Sequence, residues 1–310
     1  MEKRNASLVT EFLLLGLTAD PNVQTFFFVL FLVMYIVTLI GNMILITACI
    51  TEPKLHTPMY FFLVNLSFLD IFCSSAIVPN MLVQFFLVRK TMSFSRCAVQ
   101  MYFVFLMGIT EGVLLVVMAY DRYVAISIPL RYNVIMNKSV CMKLLVFCWL
   151  SGFVGGLLDT VFPLTLSFCG HNVIDHFFCE GAAVLKLSCV DTFATEMVML
   201  SVGTYDLLIP SLLILISYVC IIIAILRIRS LGGRYKAFST CASHLIVVTM
   251  FYSTAIYMYM IPKTKRSTDL DKIISVFYTV TPPMLNPMIY SLRNSDVKMA
   301  LLQVTRRHIF

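Results

Sequence analysis

Seven long apolar stretches dominate the sequence and limit what the chain can fold into. A helix needs about 20 apolar residues to cross the hydrocarbon core of a bilayer, and each stretch reaches that length. Because backbone polar groups inside lipid must hydrogen-bond internally, the pattern predicts an all-α membrane protein, a bundle of seven transmembrane helices. The predicted spans are residues 23–50, 57–87, 97–127, 140–166, 196–226, 237–261 and 271–292.

The composition indicates the same environment. Hydrophobic residues make up 60% of the chain and charged residues 13%, whereas about half of a soluble domain is apolar. A net charge of +7 would suit a nucleic-acid partner, but only one group of basic residues, at residues 227–236, looks like a patch. We therefore expect membrane lipid around the chain and no nucleic-acid partner.

The spans divide the chain into three parts. We expect an extracellular tail at residues 1–22, a seven-transmembrane domain at residues 23–292 and a cytoplasmic segment at residues 293–310. The last segment has apolar residues at helical spacing, which predicts a short amphipathic helix along the inner leaflet. Its apolar face would consist of Val297, Ala300, Leu301 and Val304.

The distribution of charge predicts the orientation. With the N-terminus outside, thirteen Lys and Arg residues fall on the cytoplasmic side and ten outside, whereas three acids fall inside and nine outside. The more basic side of a membrane protein faces the cytoplasm. Asn5-Ala6-Ser7 is an acceptor triplet for N-glycosylation, which takes place in the lumen. We expect an extracellular N-terminus with a glycan on Asn5 and a cytoplasmic C-terminus.

Several short motifs occur in order along the predicted helices. The third span ends with MAYDRYVAI at residues 118–126, and PLRY follows at residues 129–132. The others are GN at 41–42, LHTPMYFFL at 55–63, LSFLD at 66–70, SY at 217–218, KAFSTCASHL at 236–245 and PMLNPMIYSLRN at 283–294. Together they make the chain resemble the odorant receptors, a branch of the rhodopsin-like G-protein-coupled receptors, and within them the larger, land-vertebrate class.

The resemblance implies a receptor in the plasma membrane, not an enzyme. Its ligand would be a small, mostly apolar, volatile odorant. Its partner would be a heterotrimeric stimulatory G protein of the olfactory type, whose activation raises cyclic AMP. Ser127 stands where the family usually has Cys, and Ser253 where Gly is common. No proline interrupts residues 237–261, so a proline-hinged sixth helix is not implied, and Tyr252 is a candidate for the switch.

One group of residues is assigned to activation. Asp121 and Arg122 are expected to form a charge-assisted pair at the cytoplasmic end of the third helix. By resemblance, activation frees Arg122 to meet Tyr218 and the C-terminal helix of the G protein; the alternative is a structural pair at the membrane interface. The residues that the resemblance assigns to activation and G-protein coupling are Asp121, Arg122, Tyr123, Tyr218, His244, Asn286, Pro287 and Tyr290.

A second group is assigned to the ligand. Val104, Phe105, Gly108, Ile109 and Gly112 share one face of the third span, and the two glycines leave space beside it. Apolar walls with a few polar groups fit a volatile organic ligand, while helix packing is the alternative for each residue alone. The resemblance adds Val202, Gly203, Asp206, Tyr252, Ala255, Ile256, Tyr259, Val276 and Thr279.

Charged side chains inside a bilayer are expensive, so the acids in the spans need a reason. The resemblance places Asp70 and Glu111 at similar depth near Asn286. Two facing carboxylates there would hold a sodium ion or share a proton, and both alternatives stay open. Apart from this possible sodium, no cofactor is expected.

Asp206 is the most informative single acid. It would receive a cationic or hydrogen-bond-donating odorant, or else be protonated or bonded to a neighbouring hydroxyl. Pro210, four residues later, lacks the N–H that would bond the Asp206 carbonyl, so the helix should be irregular there. Asp159 has no explanation in the sequence.

Ten cysteines are present, several of them inside apolar runs, where a thiol behaves as a small hydrophobe. The resemblance pairs Cys97 with Cys179, and Cys169 with Cys189. A zinc or copper site is the alternative for the second outer loop, although its histidines lack a strong metal spacing. Its ligands would be a free thiol with His171, His176 and Glu180.

Other functions of helical membrane proteins fit less well. An intramembrane hydrolase would need a nucleophile and base, or metal ligands, at one depth, and the buried acids lack such a motif. A transporter would have broken helices around a central site, which Pro282-Pro283 only faintly resembles. The quoted motifs disfavour a chemoattractant or amine receptor. No catalytic residues are predicted.

Overall fold

The structure is a computed structural model and describes residues 9–18, 20–168, 172–261 and 268–293, together with Val297 and Met299. The helices are α1 Pro21–Thr51, α2 Pro58–Gln84, α3 Phe94–Ser127, α4 Tyr132–Ile135, α5 Lys138–Leu164, α6 Gly181–Leu185, α7 Phe193–Gly203, α8 Ile209–Arg227, α9 Leu231–Met260, α10 Thr268–Thr279 and α11 Thr281–Arg293. The strands are β1 Glu11–Leu14, β2 Thr91–Ser93 and β3 Val173–Ile174. Single 3₁₀ turns, Pro53–Leu55 and Pro129–Arg131, precede α2 and α4.

Six helical stretches of the described residues are long and apolar enough to cross a bilayer, and they correspond to the first six predicted spans. The seventh predicted span consists of α10 and α11, which meet at Val280, directly before the Thr281-Pro282-Pro283 segment. Each is too short to cross a bilayer alone, but consecutively they cover the predicted length. The chain therefore folds as a seven-transmembrane helix bundle, as the sequence predicts.

The fifth span is irregular where the sequence predicts it to be. α7 and α8 are joined by a π-helical turn, Thr204–Leu208, to make a continuous span Phe193–Arg227. Pro210 follows the turn and cannot donate a backbone hydrogen bond. Asp206 lies within the turn and is buried. π-Turns of this kind occur frequently at functional sites.

Polar residues at the helix ends define where several spans begin. The Asp20 carboxylate accepts a hydrogen bond from the Asn22 N–H at 2.8 Å and precedes Pro21, the first residue of α1. Asn137 caps α5 by accepting from the Val140 N–H at 3.1 Å. Such caps satisfy backbone donors that have no partner within the helix.

Small residues allow the helix backbones to approach closely. A Cβ atom on Gly156 of α5 would lie 2.9 Å from the Leu106 backbone nitrogen of α3, and one on Gly41 of α1 would lie 3.1 Å from Cγ of Pro287 in α11. Asn42 then donates from its amide to the Pro283 carbonyl at 3.0 Å. Close packing and polar contacts of this kind hold helices together in lipid.

The outward faces of the spans are apolar. Phe26 of α1 is 64% exposed, and Leu215 and Ile222 of α8 are 61% and 52% exposed. A soluble monomer rarely exposes a continuous apolar surface of this kind. Together with the six candidate spans, it shows a multi-pass membrane protein.

A small sheet covers one end of the bundle, which the sequence does not predict. β1 lies in the middle, antiparallel to β2 with Phe12 opposite Met92, and parallel to β3 with Leu14 opposite Ile174. The Phe12 side chain is fully buried beneath it. The disulfide between Cys97 and Cys179, which the resemblance implies, joins α3 to the loop that carries β3.

Some predictions fall on residues that the structure leaves undescribed. Asn5 and Cys169 lie outside the described residues, so the glycan and the pairing of Cys169 with Cys189 stay predictions. The amphipathic segment at residues 293–310 is described only at Arg293, Val297 and Met299. Val297 is buried, as an apolar-face residue should be.

Candidate functional site

A cavity of about 50 Å³ lies inside the bundle between α3, α5, α7, the π-turn, α9 and α10. Its walls are mostly apolar or aromatic, with two aspartates among them. Such a lining, apolar with a few polar groups, is typical of small-molecule sites. The residues that border it are Phe105, Gly108, Ile109, Gly112, Asp159, Met199, Gly203, Asp206, Leu207, Phe251, Tyr259 and Tyr278.

The cavity brings together part of the predicted ligand set. α3 contributes the face that its glycine spacing predicts, and the fifth and sixth spans contribute further predicted residues. The members of the predicted set that border the cavity are Phe105, Gly108, Ile109, Gly112, Gly203, Asp206 and Tyr259.

The other predicted ligand residues do not border this cavity. Val104 and Val276 pack in a separate apolar cluster with Phe31 and Phe177. Thr279 is buried and donates its hydroxyl hydrogen to the Ser275 carbonyl at 2.7 Å. The remaining members are Val202, Tyr252, Ala255 and Ile256, of which Tyr252 and Ala255 are buried.

Aromatic side chains occupy much of the space that the glycines of α3 leave. A Cβ atom on Gly108 would lie 2.7 Å from the Tyr278 hydroxyl oxygen, and one on Gly112 would lie 3.3 Å from the Phe251 ring. The Tyr252 hydroxyl donates to the Gly112 carbonyl at 2.8 Å. The glycines therefore let α9 and α10 approach α3, which makes the cavity small.

Two buried carboxylates face the cavity from different spans. Asp159 of α5 is 9% exposed and Asp206 of the π-turn is 7% exposed. A Cβ atom on Gly155, one helical turn before Asp159, would lie 3.0 Å from Oδ2 of Asp206, so the Asp206 carboxylate packs against α5. Among the described residues, none donates a hydrogen bond to Oδ2 of Asp206. The sequence leaves Asp159 without an explanation. In the structure its side chain borders the cavity.

A second cluster of buried polar groups lies between α2, α3 and α11. The Asn286 amide donates to both carboxylate oxygens of Asp70, each at 3.1 Å. Glu111 is close enough to Asp70 to interact with it electrostatically. Oε1 of Glu111, Oδ1 of Asn286 and the Ser74 hydroxyl are buried without a hydrogen-bond partner among the described residues. These oxygens are the kind of ligand that a hard cation prefers.

The predicted charge-assisted pair between Asp121 and Arg122 stays a prediction: the Arg122 charge acts on the Asp121 carboxyl, whose hydrogen-bond partner is another residue. Among the described residues, the Asp121 carboxylate accepts a hydrogen bond from the Tyr132 hydroxyl at 2.7 Å, and no ion pair joins it to Arg122. Consecutive residues of a helix point in different directions, so neighbours in sequence do not face each other. Tyr132 belongs to α4, whose role the sequence did not reveal.

Several of the side chains assigned to activation meet at the end of the bundle that holds Asp121. The Tyr218 hydroxyl of α8 is hydrogen-bonded to Nδ1 of His244 in α9 at 2.6 Å, and the two rings are stacked. The Arg122 guanidinium interacts electrostatically with Tyr218, His244 and Tyr290. Arg122 therefore lies close enough to these three side chains, as well as to Asp121, for its charge to act on all of them.

The second outer loop is fastened to α10 through two polar contacts. Lys272 forms a 2.6 Å salt bridge with Asp175, and Nε2 of the buried His176 is 3.1 Å from the Ser275 hydroxyl. Burial, together with the charges of Lys272 and Lys186, lowers the pKa of His176 to about 3 against the opposing effect of Asp175. His176 is therefore neutral at physiological pH, so the loop contacts α10 through it without burying a charge.

The metal-site alternative finds no support in the described part of the chain, which contains no group of three or more His, Cys, Asp or Glu residues placed to hold a metal. Cys179 is used in the disulfide with Cys97. His171, the other proposed ligand beside His176 and Glu180, lies outside the described residues.

A larger and more open cavity of about 580 Å³ lies between α1, α2 and α5, lined among others by Cys49, His56 and Lys138. None of the predicted ligand residues borders it. The smaller cavity is the better candidate for a ligand site, because it is the more enclosed and carries the buried acids.

Comparison with known proteins places the whole chain among relatives. The olfactory receptor family model matches residues 31–307. The chain is 50% identical to mouse olfactory receptor 5M5 over 309 residues, which is 100% of this chain and 97% of that protein. It is 51% identical to human olfactory receptor 13C9 over 316 aligned positions, covering 100% of this chain and 99% of that protein.

Proposed function

Because the chain belongs to the olfactory receptor family, we propose that it binds a small volatile organic molecule inside its helix bundle and activates a heterotrimeric G protein. The observation that carries the proposal is the mostly apolar cavity bordered by α3, the fifth span and α9. It has the lining expected for a small organic ligand. As an odorant receptor, the protein is not an enzyme.

Ligand binding would act through α9, which connects the cavity to the end of the bundle that carries Arg122. Phe251 borders the cavity and the neighbouring Tyr252 bonds to Gly112 of α3, while His244, about two turns earlier in the same helix, bonds to Tyr218. A ligand that binds one arrangement of α9 better than another shifts the population toward it. Tyr252 would serve as the switch residue in this scheme.

The G-protein site lies, in this proposal, at the end of the bundle that carries Arg122. Basic residues are concentrated there, in the segment between α8 and α9 and near α4. A basic surface suits the cytoplasmic face, and the Arg122 charge acts on Tyr218 and His244, which would rearrange with it. We propose the stimulatory olfactory type of G protein as the partner, with cyclic AMP as its product signal, and lipid as the surrounding partner.

The proposed location is the plasma membrane, with the N-terminus outside and the C-terminus in the cytoplasm. The disulfide between Cys97 and Cys179 lies at the end opposite Arg122, together with the three-stranded sheet. Disulfides form in the lumen of the secretory pathway, which becomes the extracellular side. The charge distribution supports the same orientation.

We propose further that Asp70 and Glu111 share one positive charge, either a sodium ion or a proton. Two buried carboxylates so close to each other cannot both stay ionised and uncompensated. The unpartnered oxygens of Glu111, Asn286 and Ser74 would fit a sodium ion. Sodium-dependent ligand affinity that is lost in Glu111→Gln would identify the ion, and indifference to sodium at constant ionic strength would identify the shared proton.

The receptor function can be tested in cells that express the chain at their surface with and without the olfactory stimulatory G protein. A panel of volatile alcohols, esters, acids and amines is applied and cyclic AMP is measured. The proposal expects a dose-dependent rise with at least one compound, only when the G protein is present. Equal responses without the G protein, or in cells lacking the receptor, would refute it.

A further inference from the structure

We infer that the ligand of this receptor is a small primary amine, whose ammonium group lies between Asp159 and Asp206. The inference rests on the proposed function and specifies the chemical class of ligand for the same cavity. It adds a residue of α5 to a site that the sequence assigns to the third, fifth, sixth and seventh spans.

The first argument is the geometry of the two carboxylates. Asp206 packs against Gly155 of α5, one turn before Asp159, and both aspartates border the same cavity. Both are more than nine-tenths buried. Glycine at position 155 is what permits this approach, because any side chain there would meet the Asp206 carboxylate and Ile109.

The second argument is that the carboxylates lack partners of their own. Among the described residues, no hydrogen bond reaches the carboxylate of Asp159 or of Asp206, and Oδ2 of Asp206 is buried without a donor. No Lys, Arg or His is among the residues that line the cavity. A buried carboxylate without a partner is costly in a low-dielectric interior, so the site lacks one positively charged donor.

The remaining walls suit the rest of such a ligand. Phe105, Tyr259 and Tyr278 border the cavity, with ring centroids of neighbouring pairs 5.8 and 6.2 Å apart. Aromatic faces attract ammonium groups, while Ile109 and Leu207 offer contacts for an alkyl chain.

The size of the cavity and the number of hydrogen-bond donors that the two aspartates need then select the chemical class of the ligand. An ammonium group carries three N–H donors and one positive charge, so it can bond both aspartates at once. A cavity of about 50 Å³ holds only a few non-hydrogen atoms, which points to short alkylamines. A carboxylic acid of the same length would add a further negative charge and should be rejected.

The test uses the full-length receptor at the cell surface, with propylamine, butylamine and isobutylamine as probes beside the matching alcohols and carboxylic acids. We expect at least one amine to be more potent than its alcohol, and Asp159→Asn and Asp206→Asn each to weaken that amine by about 10- to 100-fold. Glu196→Gln is the matched control, because Glu196 is an exposed acid on the same span as Asp206. Surface amounts of every variant are measured in parallel.

Absence of any amine response overturns the inference. If alcohols or other neutral odorants are active in that case, the proposed receptor function stands and only the ligand class is wrong. An amine response that survives both substitutions at normal potency also overturns it. Equal weakening of amines and alcohols would show that the aspartates are structural, and would contradict the inference as well.

Discussion

At the scale of single residues, glycines that look alike in the sequence have different surroundings. A side chain on Gly112 would meet the Phe251 ring, which borders the cavity, at 3.3 Å and the Tyr252 hydroxyl at 3.4 Å. A side chain on Gly156 would meet backbone atoms of Leu106 at 2.9 and 3.1 Å. Rings can shift by a few tenths of an ångström, whereas the backbone of a packed helix cannot do so cheaply.

We predict that Gly112→Ala folds but responds to odorants with lower potency, because the added methyl group reduces the cavity. Gly156→Ala should lose most of its surface expression, because separating α3 from α5 costs about 1–3 kcal/mol. Flow cytometry of surface receptor and dose-response curves for cyclic AMP measure the two effects. Normal surface expression of Gly156→Ala would contradict the packing described here.

His176 gives a pH-dependent prediction. Its pKa is about 3 in the folded protein and about 6.5 when exposed, so the unfolded loop binds a proton more readily. The contribution of His176 to stability is thus complete above about pH 6.5 and is lost as pH falls toward 3. The loss of stability reaches about 2 kcal/mol at about pH 5. The hydrogen-exchange protection factors of residues 173–179, which are corrected for the intrinsic pH dependence of exchange, should fall on acidification, and less so in His176→Gln. An acid response of equal size in that variant would exclude His176 as its origin.

At the scale of residues, the sequence predicts best which side chains share one face of a single helix. Helical spacing puts five residues on one face of α3, of which Phe105, Gly108, Ile109 and Gly112 border the cavity, whereas Val104 packs elsewhere. Met199, Phe251 and Tyr278 were missed, because whether they reach the cavity depends on how the spans are rotated and packed together.

At the scale of elements, hydrophobic runs predict where spans lie but not how they are built. The seventh run reads as continuous, yet it is divided at Val280 into α10 and α11. The irregular fifth span was predictable because Pro210 removes a specific backbone donor. β1, β2 and β3 are two to four residues long, too short for an alternating pattern to reveal them.

The hydrogen bond between Tyr132 of α4 and Asp121 of α3 leads to a prediction at the scale of elements. Tyr132→Phe removes the hydrogen bond to the buried Asp121 carboxylate, which should cost about 2 kcal/mol and lower the melting temperature by a few degrees. Tyr120→Phe is the control, because Tyr120 is 41% exposed on α3. Thermal unfolding of purified receptor in nanodiscs compares them. Identical melting temperatures for Tyr132→Phe and wild type would rule out this fastening as a source of stability.

At the scale of the whole molecule, the proposed orientation rests on the asymmetry between the two ends. The sheet and the Cys97–Cys179 disulfide cap one end, and Arg122 and the basic segments lie toward the other. Length and composition suffice to predict a seven-helix bundle, because lipid leaves few alternatives for the backbone. They do not predict the three-stranded sheet, because its contacts join residues far apart in the chain.

Glycosylation provides a test of this orientation. The chain carries acceptor triplets at Asn5, in the predicted extracellular tail, and at Asn137, in a predicted cytoplasmic loop. A glycosidase-sensitive mobility shift should vanish in Asn5→Gln and persist in Asn137→Gln. The reverse pattern would mean that the bundle is inserted the other way round.

The central claim, that ligand binding in the bundle activates a G protein, is tested most directly by nucleotide exchange. Purified receptor in nanodiscs is mixed with the purified olfactory-type stimulatory G protein, and GTP-analogue uptake is followed with and without an active odorant from the cell panel. Odorant should accelerate uptake with wild type and fail to do so with Arg122→Ala, at equal odorant binding. Odorant binding that leaves exchange unchanged in wild type would contradict the account.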